Sequence, residues 1–237
     1  MLAAADDVGQ PCMNRSQAGA KCPDMNNVTF WEPWLRHVLE LAATLAFALS
    51  GVLEGARKKL DPVGVGVVAF LAAFGGGTLR DLLLDQRPFF WVRHVGYVWG
   101  ILGLSLAALL LLRQRHFEPT ERAIQWPDAI GLGLFTSVGV DMANDLGMPG
   151  LISVMMGVIT GVFGGVLRDI VCNEIPKAFH DHRPYAVCAF AGGWLYLGLL
   201  QVQVPESPAL MLCALCTASL RGLALWRDWQ LPGWRRL

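Results

Sequence analysis

The chain has 237 residues, 54% hydrophobic and only 16% charged, with a mean hydropathy of +0.44. Soluble domains average about 25% charged residues, so composition excludes an ordinary water-soluble domain. Lys+Arg and Asp+Glu balance at 19 each, which excludes a nucleic-acid surface built on net positive charge.

Taken in chain order, residues 1–33 are polar and lack a positively charged start followed by an apolar stretch. They are expected to form an extension outside the membrane rather than a cleavable signal. Cys12 and Cys22 in it would be free thiols or, in an oxidising compartment, a disulfide. Seven runs then approach the ~20 apolar residues that a crossing helix needs: 34–53, 63–84, 92–112, 128–146, 150–172, 185–204 and 209–226. No alternation persists long enough for a barrel. Trp31, Trp34, Trp91, Trp126, Trp226, Trp229 and Trp234 fall at the edges of these runs, where amphipathic rings favour the headgroup zone.

Basic residues set the orientation. Arg57, Lys58 and Lys59 follow span one, Arg113, Arg115 and Arg122 follow span three, and Lys177 and Arg183 follow span five. The tail adds Arg227, Arg235 and Arg236, whereas the loops after spans four and six carry Asp145 and Glu206 without a basic residue. Arg87 and Arg93 dissent but are outnumbered. The expectation is a multi-pass protein of the cell (inner) membrane with its N-terminus outside and C-terminus cytoplasmic.

A motif is written twice. "FGGGTLRDLLL" begins at Phe74 and "VFGGVLRDIV" at Val162, and Arg168 follows Arg80 by 168 − 80 = 88 positions. The same offset lays Phe47 over Phe135, Gly51 over Gly139, Pro88 over Pro176, His94 over His182 and Tyr97 over Tyr185. Each unit holds three spans, an odd number, so the second must enter the membrane from the opposite side. The expected fold is therefore all-α, with seven transmembrane helices as two inverted three-helix repeats (34–113 and 127–204), a seventh helix (208–228) and a cytoplasmic tail (229–237). Inverted repeats with broken helices place ion or substrate sites at the repeat interface.

Each glycine costs a helix interior about 1 kcal/mol relative to Ala, so Gly75, Gly76, Gly77, Gly164 and Gly165 need a reason. Close helix packing is one. A bend that frees carbonyls to line a path is the other, and the run of three repeated in its mate favours it. An ionised group near the bilayer centre costs about 2.5–3.5 kcal/mol, so Arg80, Asp81, Arg168 and Asp169 must face protein or water. Asp85 and Asn173 would extend a polar stripe below them, as an ion pathway or gate; the alternative is static buried salt bridges between the repeats. Arg221, deep in span seven, would pair with Asp169 or snorkel to the headgroups.

Other motifs carry less. Cys213 and Cys216 form a CxxC inside an apolar span with no second ligand pair at zinc-site spacing. "HDH", at 180–182, reads as a solvated loop rather than a metal site. No nucleophile elbow, P-loop or dinucleotide fingerprint is present, so no enzyme is proposed, and neither a cofactor nor a metal is called for.

Together, "GGGTLRD", "GGVLRD" with "NEIP", and "RGLALWRDWQLP" resemble the prokaryotic branch of the trimeric intracellular cation (TRIC) channel family, a branch also labelled glycine-transporter-like. The resemblance covers about residues 34–232. It implies a homotrimer among membrane lipids, with a potassium-permeable pore in each protomer (sodium being the other candidate permeant ion), lined by spans two and five kinked at Gly75, Gly76 and Gly77 and at Gly164 and Gly165. Animal relatives place a voltage-linked basic residue in the fourth span; this chain reads "GVDMAND" there, with Met142, and the resemblance does not extend to that property. The alternative function is a secondary transporter of glycine or another small solute, and a weaker one a lipid-binding scaffold.

Overall fold

The computed structural model describes residues 32–115, 120–180 and 183–230. The extension with Cys12 and Cys22, most of the "HDH" segment and the end of the tail lie outside the described residues. Nine helices occur among those described: α1 (Glu32–Arg57), α2 (Pro62–Leu83), α3 (Phe90–Arg93), α4 (Val95–Arg115), α5 (Glu121–Asp145), α6 (Gly150–Val171), α7 (Lys177–His180), α8 (Ala186–Gln201) and α9 (Glu206–Trp226). Seven are long, and each overlaps one of the seven apolar runs; α3 and α7 are single turns.

Among the described residues, four helices are long and apolar enough to cross a membrane: Trp34–Arg57, Pro62–Leu83, Gly150–Val171 and Glu206–Trp226. Val95–Ala108 and Ala186–Gln201 are shorter apolar helices. The span expected at 128–146 starts seven residues earlier, because Thr120 caps α5 by accepting from Ala123 N, and the helix continues through Pro127. α5 is the most polar of the long helices, yet Gln125, Asp128, Thr136, Ser137 and Asp141 are all buried. Its polar face looks into the bundle, and the apolar face of the assembly is turned outward instead. Leu41, Leu45 and Leu49 on α1 and Leu102, Leu106 and Leu110 on α4 are exposed, at spacings that put each set on one helix face.

The helix bounds recur at the sequence offset. Adding 88 to the ends of α2 gives the ends of α6, and α1, α3 and α4 have counterparts in α5, α7 and α8 with shifts of a few residues. α9 has no counterpart. The helix stops recur too. Lys59 after α1, Asp85 after α2 and Asn173 after α6 take positive φ, as does Gly147 after α5. Gln86 N donates to Asp81 O and Glu174 N to Asp169 O, the six-to-one bond of a Schellman ending.

α1, α2, α5 and α6 form the centre, with α4 against α1 and α2, and α8 and α9 against α5. The repeat mates Phe47 and Phe135 stack on each other there, ring centroids 5.6 Å apart. α2 and α6 cross antiparallel. A Cβ on Gly76 would collide with the carbonyl oxygen of Thr160, and one on Gly164 with that of Ala72. Those two contacts are mates under the 88-residue offset. α2 and α6 remain helical through their glycines.

Candidate functional site

The glycines let the backbones of α2 and α6 touch, and that crossing sets two arginines at opposite ends of the bundle. Arg80 lies in the last turn of α2 and Arg168 in the last turn of α6. Each folds back on the next residue. Arg80 Nε donates to Asp81 Oδ1 at 2.9 Å, and Arg168 Nε to Asp169 Oδ1 at 2.9 Å. The other oxygen of each carboxylate accepts from the backbone beyond the helix: Asp81 Oδ2 from Phe90 N, and Asp169 Oδ2 from Lys177 N, both at 2.9 Å. The Arg-Asp pair of the motif is thus a clamp between a helix end and the following single turn.

A second carboxylate completes each cluster, and it comes from the neighbouring helix. Arg80 Nη2 donates to Glu40 of α1 at 2.9 Å, and Arg168 Nη1 to Asp128 of α5 at 2.6 Å. Glu40 and Asp128 are themselves 88 residues apart. Counted formally, each cluster carries one Arg and two carboxylates, a net charge of −1. The glycine after each crossing makes room for this arrangement. A Cβ on Gly77 would enter the Phe90 ring, over which Arg80 sits at 5.6 Å. One on Gly165 would press on Tyr185 and Asp128 at 3.1 and 3.2 Å. Gly75 faces Leu167.

The clusters differ in their closure. Around Arg168, Tyr185 donates its hydroxyl to Asp128 at 2.6 Å, and Ser50 lies within hydrogen-bond reach of Arg168 Nη1. Arg168, Asp128, Asp169 and Tyr185 are all buried. The Arg80 cluster instead borders a cavity of about 190 Å³. Arg36, Glu40, Arg93, His94 and Val138 share its wall with Arg80 and Asp81.

Two further charge clusters flank the ends of α1. At its start Arg36 meets Asp141, Asp145 and Glu206, and Tyr196 donates to Asp141. Those three carboxylates are close enough to share a metal ion, and a guanidinium stands among them. At its end the buried Glu54 accepts from Arg57 at 2.7 Å and faces Lys177 at 3.4 Å. Glu174 joins this group through Arg57 and Lys58. Partial burial would raise the Glu174 carboxyl, but the Lys58 hydrogen bond and the neighbouring positive charges outweigh it and hold the group below the ordinary carboxylate range.

Of the residues singled out in the sequence, Arg80, Asp81, Arg168 and Asp169 are brought into these clusters. Asp85 and Asn173 are not: both side chains are exposed, and their positive φ makes them helix terminators. The expected Arg221–Asp169 pair is replaced as well. Asp169 is held by Arg168 and Lys177 N, while Arg221 donates to Pro184 O at 3.2 Å and lies over the Tyr185 ring at 4.7 Å. Arg221 is buried, so it does not snorkel. Cys213 and Cys216 are free thiols, Cys213 buried in the core. Glu40, Asp128 and Ser50 went unnoticed in the sequence, although the offset that pairs the arginines also pairs Glu40 with Asp128.

An all-helical, multi-pass bundle with charge clusters buried at both ends is a membrane protein built around a polar interior. The family described as "Glycine transporter" matches residues 37–113 and again 125–201, two segments themselves 88 residues apart. A UPF0126 membrane protein of Vibrio cholerae is 36% identical over 191 residues, 79% of this chain and 77% of the relative. The inner membrane protein YadS of Escherichia coli is 35% identical over 195 residues, 82% of this chain and 93% of its own. Among solved structures, a TRIC cation channel superposes with a TM-score of 0.75 at 34% identity, over 85% of this chain and 98% of that one. The TRIC trimeric intracellular cation channel orthologue from Rhodobacter sphaeroides gives a TM-score of 0.75 at 30% identity, over 82% and 98%. The chain belongs to the prokaryotic TRIC family.

Proposed function

We propose that this protein is a potassium-permeable monovalent cation channel, with one pore inside each protomer of a homotrimer. The observation that carries the reading is the α2–α6 crossing, where the carbonyl oxygens of Ala72 and Thr160 abut glycine and an Arg–carboxylate cluster flanks either end. Carbonyl oxygens can replace part of a cation's hydration shell, and a net charge of −1 at each end favours cations over anions. Arg80 and Arg168 then act as positive guards that narrow the path, with Asp81 and Asp169 holding them in place. In the conformation described the crossing is tightly packed. Conduction on this proposal needs α2 and α6 to part, by a bend at Gly75, Gly76 and Gly77 and at Gly164 and Gly165. The kinship with TRIC cation channels supports the same reading.

The proposal includes an inverted repeat in the membrane, supported by the antiparallel crossing and the recurring helix bounds. It also includes an extracellular N-terminus, which puts the Arg80 cluster on the outer side and the Arg168 cluster on the inner side of the cell membrane. An impermeant thiol reagent on intact cells, after reduction, should label Cys12 and Cys22; labelling a Cys introduced at Lys58 instead overturns the orientation. Flux from liposomes holding the pure protein tests the function. A potassium gradient should collapse, and labelled glycine should stay inside. Glycine movement without potassium flux would select the transporter reading, which the description of the matching family favours.

A further inference from the structure

The cavity beside Arg80 is bordered by two histidines that the conduction proposal does not use. His37 stands on α1 one turn before Glu40, so the two side chains leave the same helix face. His94 ends α3, and its carbonyl accepts from Tyr97 N at 2.9 Å, which fixes its backbone at the entry to α4. The two imidazole rings meet edge to face with centroids 5.5 Å apart, and both are exposed. His37, His94 and Glu40 all line the same cavity of about 190 Å³.

Two imidazoles and a carboxylate are a ligand set suited to a divalent first-row transition metal. With metal–nitrogen distances of about 2.1 Å, two imidazoles on one ion keep their centroids about 5–6 Å apart, the separation already present. Glu40 Oε1 accepts from Arg80 Nη2, which orients the carboxylate and leaves Oε2 for an ion, as outer hydrogen bonds do at metal sites. The surrounding charge favours a cation as well. Arg36, Arg80 and Arg93 border the cavity, but Arg36 is held by Asp141, Asp145 and Glu206, and Arg80 by Asp81 and Glu40. These groups sum formally to 3 − 5 = −2 with both histidines neutral. We infer that His37, His94 and Glu40 bind one divalent transition-metal ion in this cavity. Asp141, Asp145 and Glu206 are the competing cluster, and there Arg36 already supplies the positive charge. The second half does not repeat the site: Gln125 stands at the position of His37 and accepts from Arg183, and Asp128 is taken by Arg168 and Tyr185. The inference does not depend on the conduction proposal.

Crystals of the full chain, without a histidine tag and soaked in zinc chloride, test the site without any flux measurement. An anomalous zinc peak is expected about 2.1 Å from a ring nitrogen of both His37 and His94. In detergent, the zinc dissociation constant read by calorimetry should rise at least roughly tenfold in His94→Ala and in His37→Gln. Both side chains are exposed, so the variants should keep the melting temperature of the zinc-free protein. Asp145→Asn, in the competing cluster, should bind zinc nearly as wild type does. A zinc peak among Asp141, Asp145 and Glu206 with none at the histidines overturns the inference, as does a protein that binds no zinc. Equal affinity in wild type and H94A, or a loss in D145N rather than in the histidine variants, overturns it too.

Discussion

The Arg80 and Arg168 clusters occupy equivalent places in the repeat, share an Arg-Asp clamp and borrow a carboxylate from the equivalent helix, yet one is sealed and the other opens on a cavity. Two substitutions across the repeat and one tyrosine that faces differently account for the difference. Glu40 stands where the other half has the shorter Asp128, and Val138 stands where the other has Ser50. Tyr97 packs its ring against Phe90 and His94, whereas its mate Tyr185 turns its hydroxyl onto Asp128. The helix without a counterpart then finishes the closure: Arg221 of α9 lies over the Tyr185 ring and donates to Pro184 O. The equivalence of the two clusters is thus broken both by residues of the repeat itself and by α9, and on the proposed reading one mouth of the path is tighter than the other.

The largest effect should come from removing the borrowed carboxylate in each half. Breaking a buried charge pair costs about 3–5 kcal/mol when one partner is left uncompensated. Asp128→Asn leaves Arg168 with Asp169 as its one carboxylate partner in a buried site, so a loss of about 3 kcal/mol is expected. Glu40→Gln should cost less than half of that, because the adjoining cavity can admit water to Arg80. Thermal unfolding of the detergent-solubilised variants reads the difference. Equal losses would remove the distinction between sealed and open clusters.

The glycine crossing should respond alike in both halves. Gly76→Ala and Gly164→Ala each push a methyl group into a backbone carbonyl, of Thr160 and of Ala72. Overpacking of that kind costs about 1–3 kcal/mol, and the neighbour cannot rotate away. Both variants should lose stability by similar amounts, and a double Leu variant, Gly76→Leu with Gly164→Leu, should fail to elute as a folded assembly in size-exclusion chromatography. An intact double Leu assembly with no potassium flux would instead assign the glycines to a bend alone. Unequal Ala losses would show that the two halves do not share the crossing evenly.

Much of this was legible in the chain. Apolar runs placed seven long helices, and the 88-residue offset anticipated the matching bounds of α2 and α6. The Arg-Asp motif led to the clusters because ionised groups in a membrane must find partners. The partners themselves were harder to see. Glu40 and Asp128 differ in type and stand two turns into α1 and α5, so only the shared offset, and no common motif, links them. The Arg221–Asp169 pairing failed because matching depth does not fix the direction in which a helix faces. The start of α5 was read late for a physical reason as well: its buried polar residues depress its hydropathy, although Asp128 and Asp141 find their partners on other helices, in Arg168 and Tyr185 and in Arg36 and Tyr196.

The smallest effect concerns the residues just past α2 and α6. Asp85 and Asn173 were expected on a polar path, but each holds positive φ, 50° and 56°, at the position that ends its helix. Non-glycine residues pay for that conformation, and Asn tolerates it well. Asp85 is also almost fully exposed, with Arg87 at 3.7 Å as a loose neighbour, and such surface pairs contribute little. Asp85→Gly and Asn173→Gly should therefore leave stability within about 1 kcal/mol of wild type. Asp85→Val and Asn173→Val should cost about 1–2 kcal/mol, because a β-branched side chain is disfavoured at positive φ. Potassium flux should be the same in both glycine variants as in wild type. A glycine variant that keeps its melting temperature but loses flux would return its carboxylate or amide to the ion path, and would do so for one half or both according to which variant shows it.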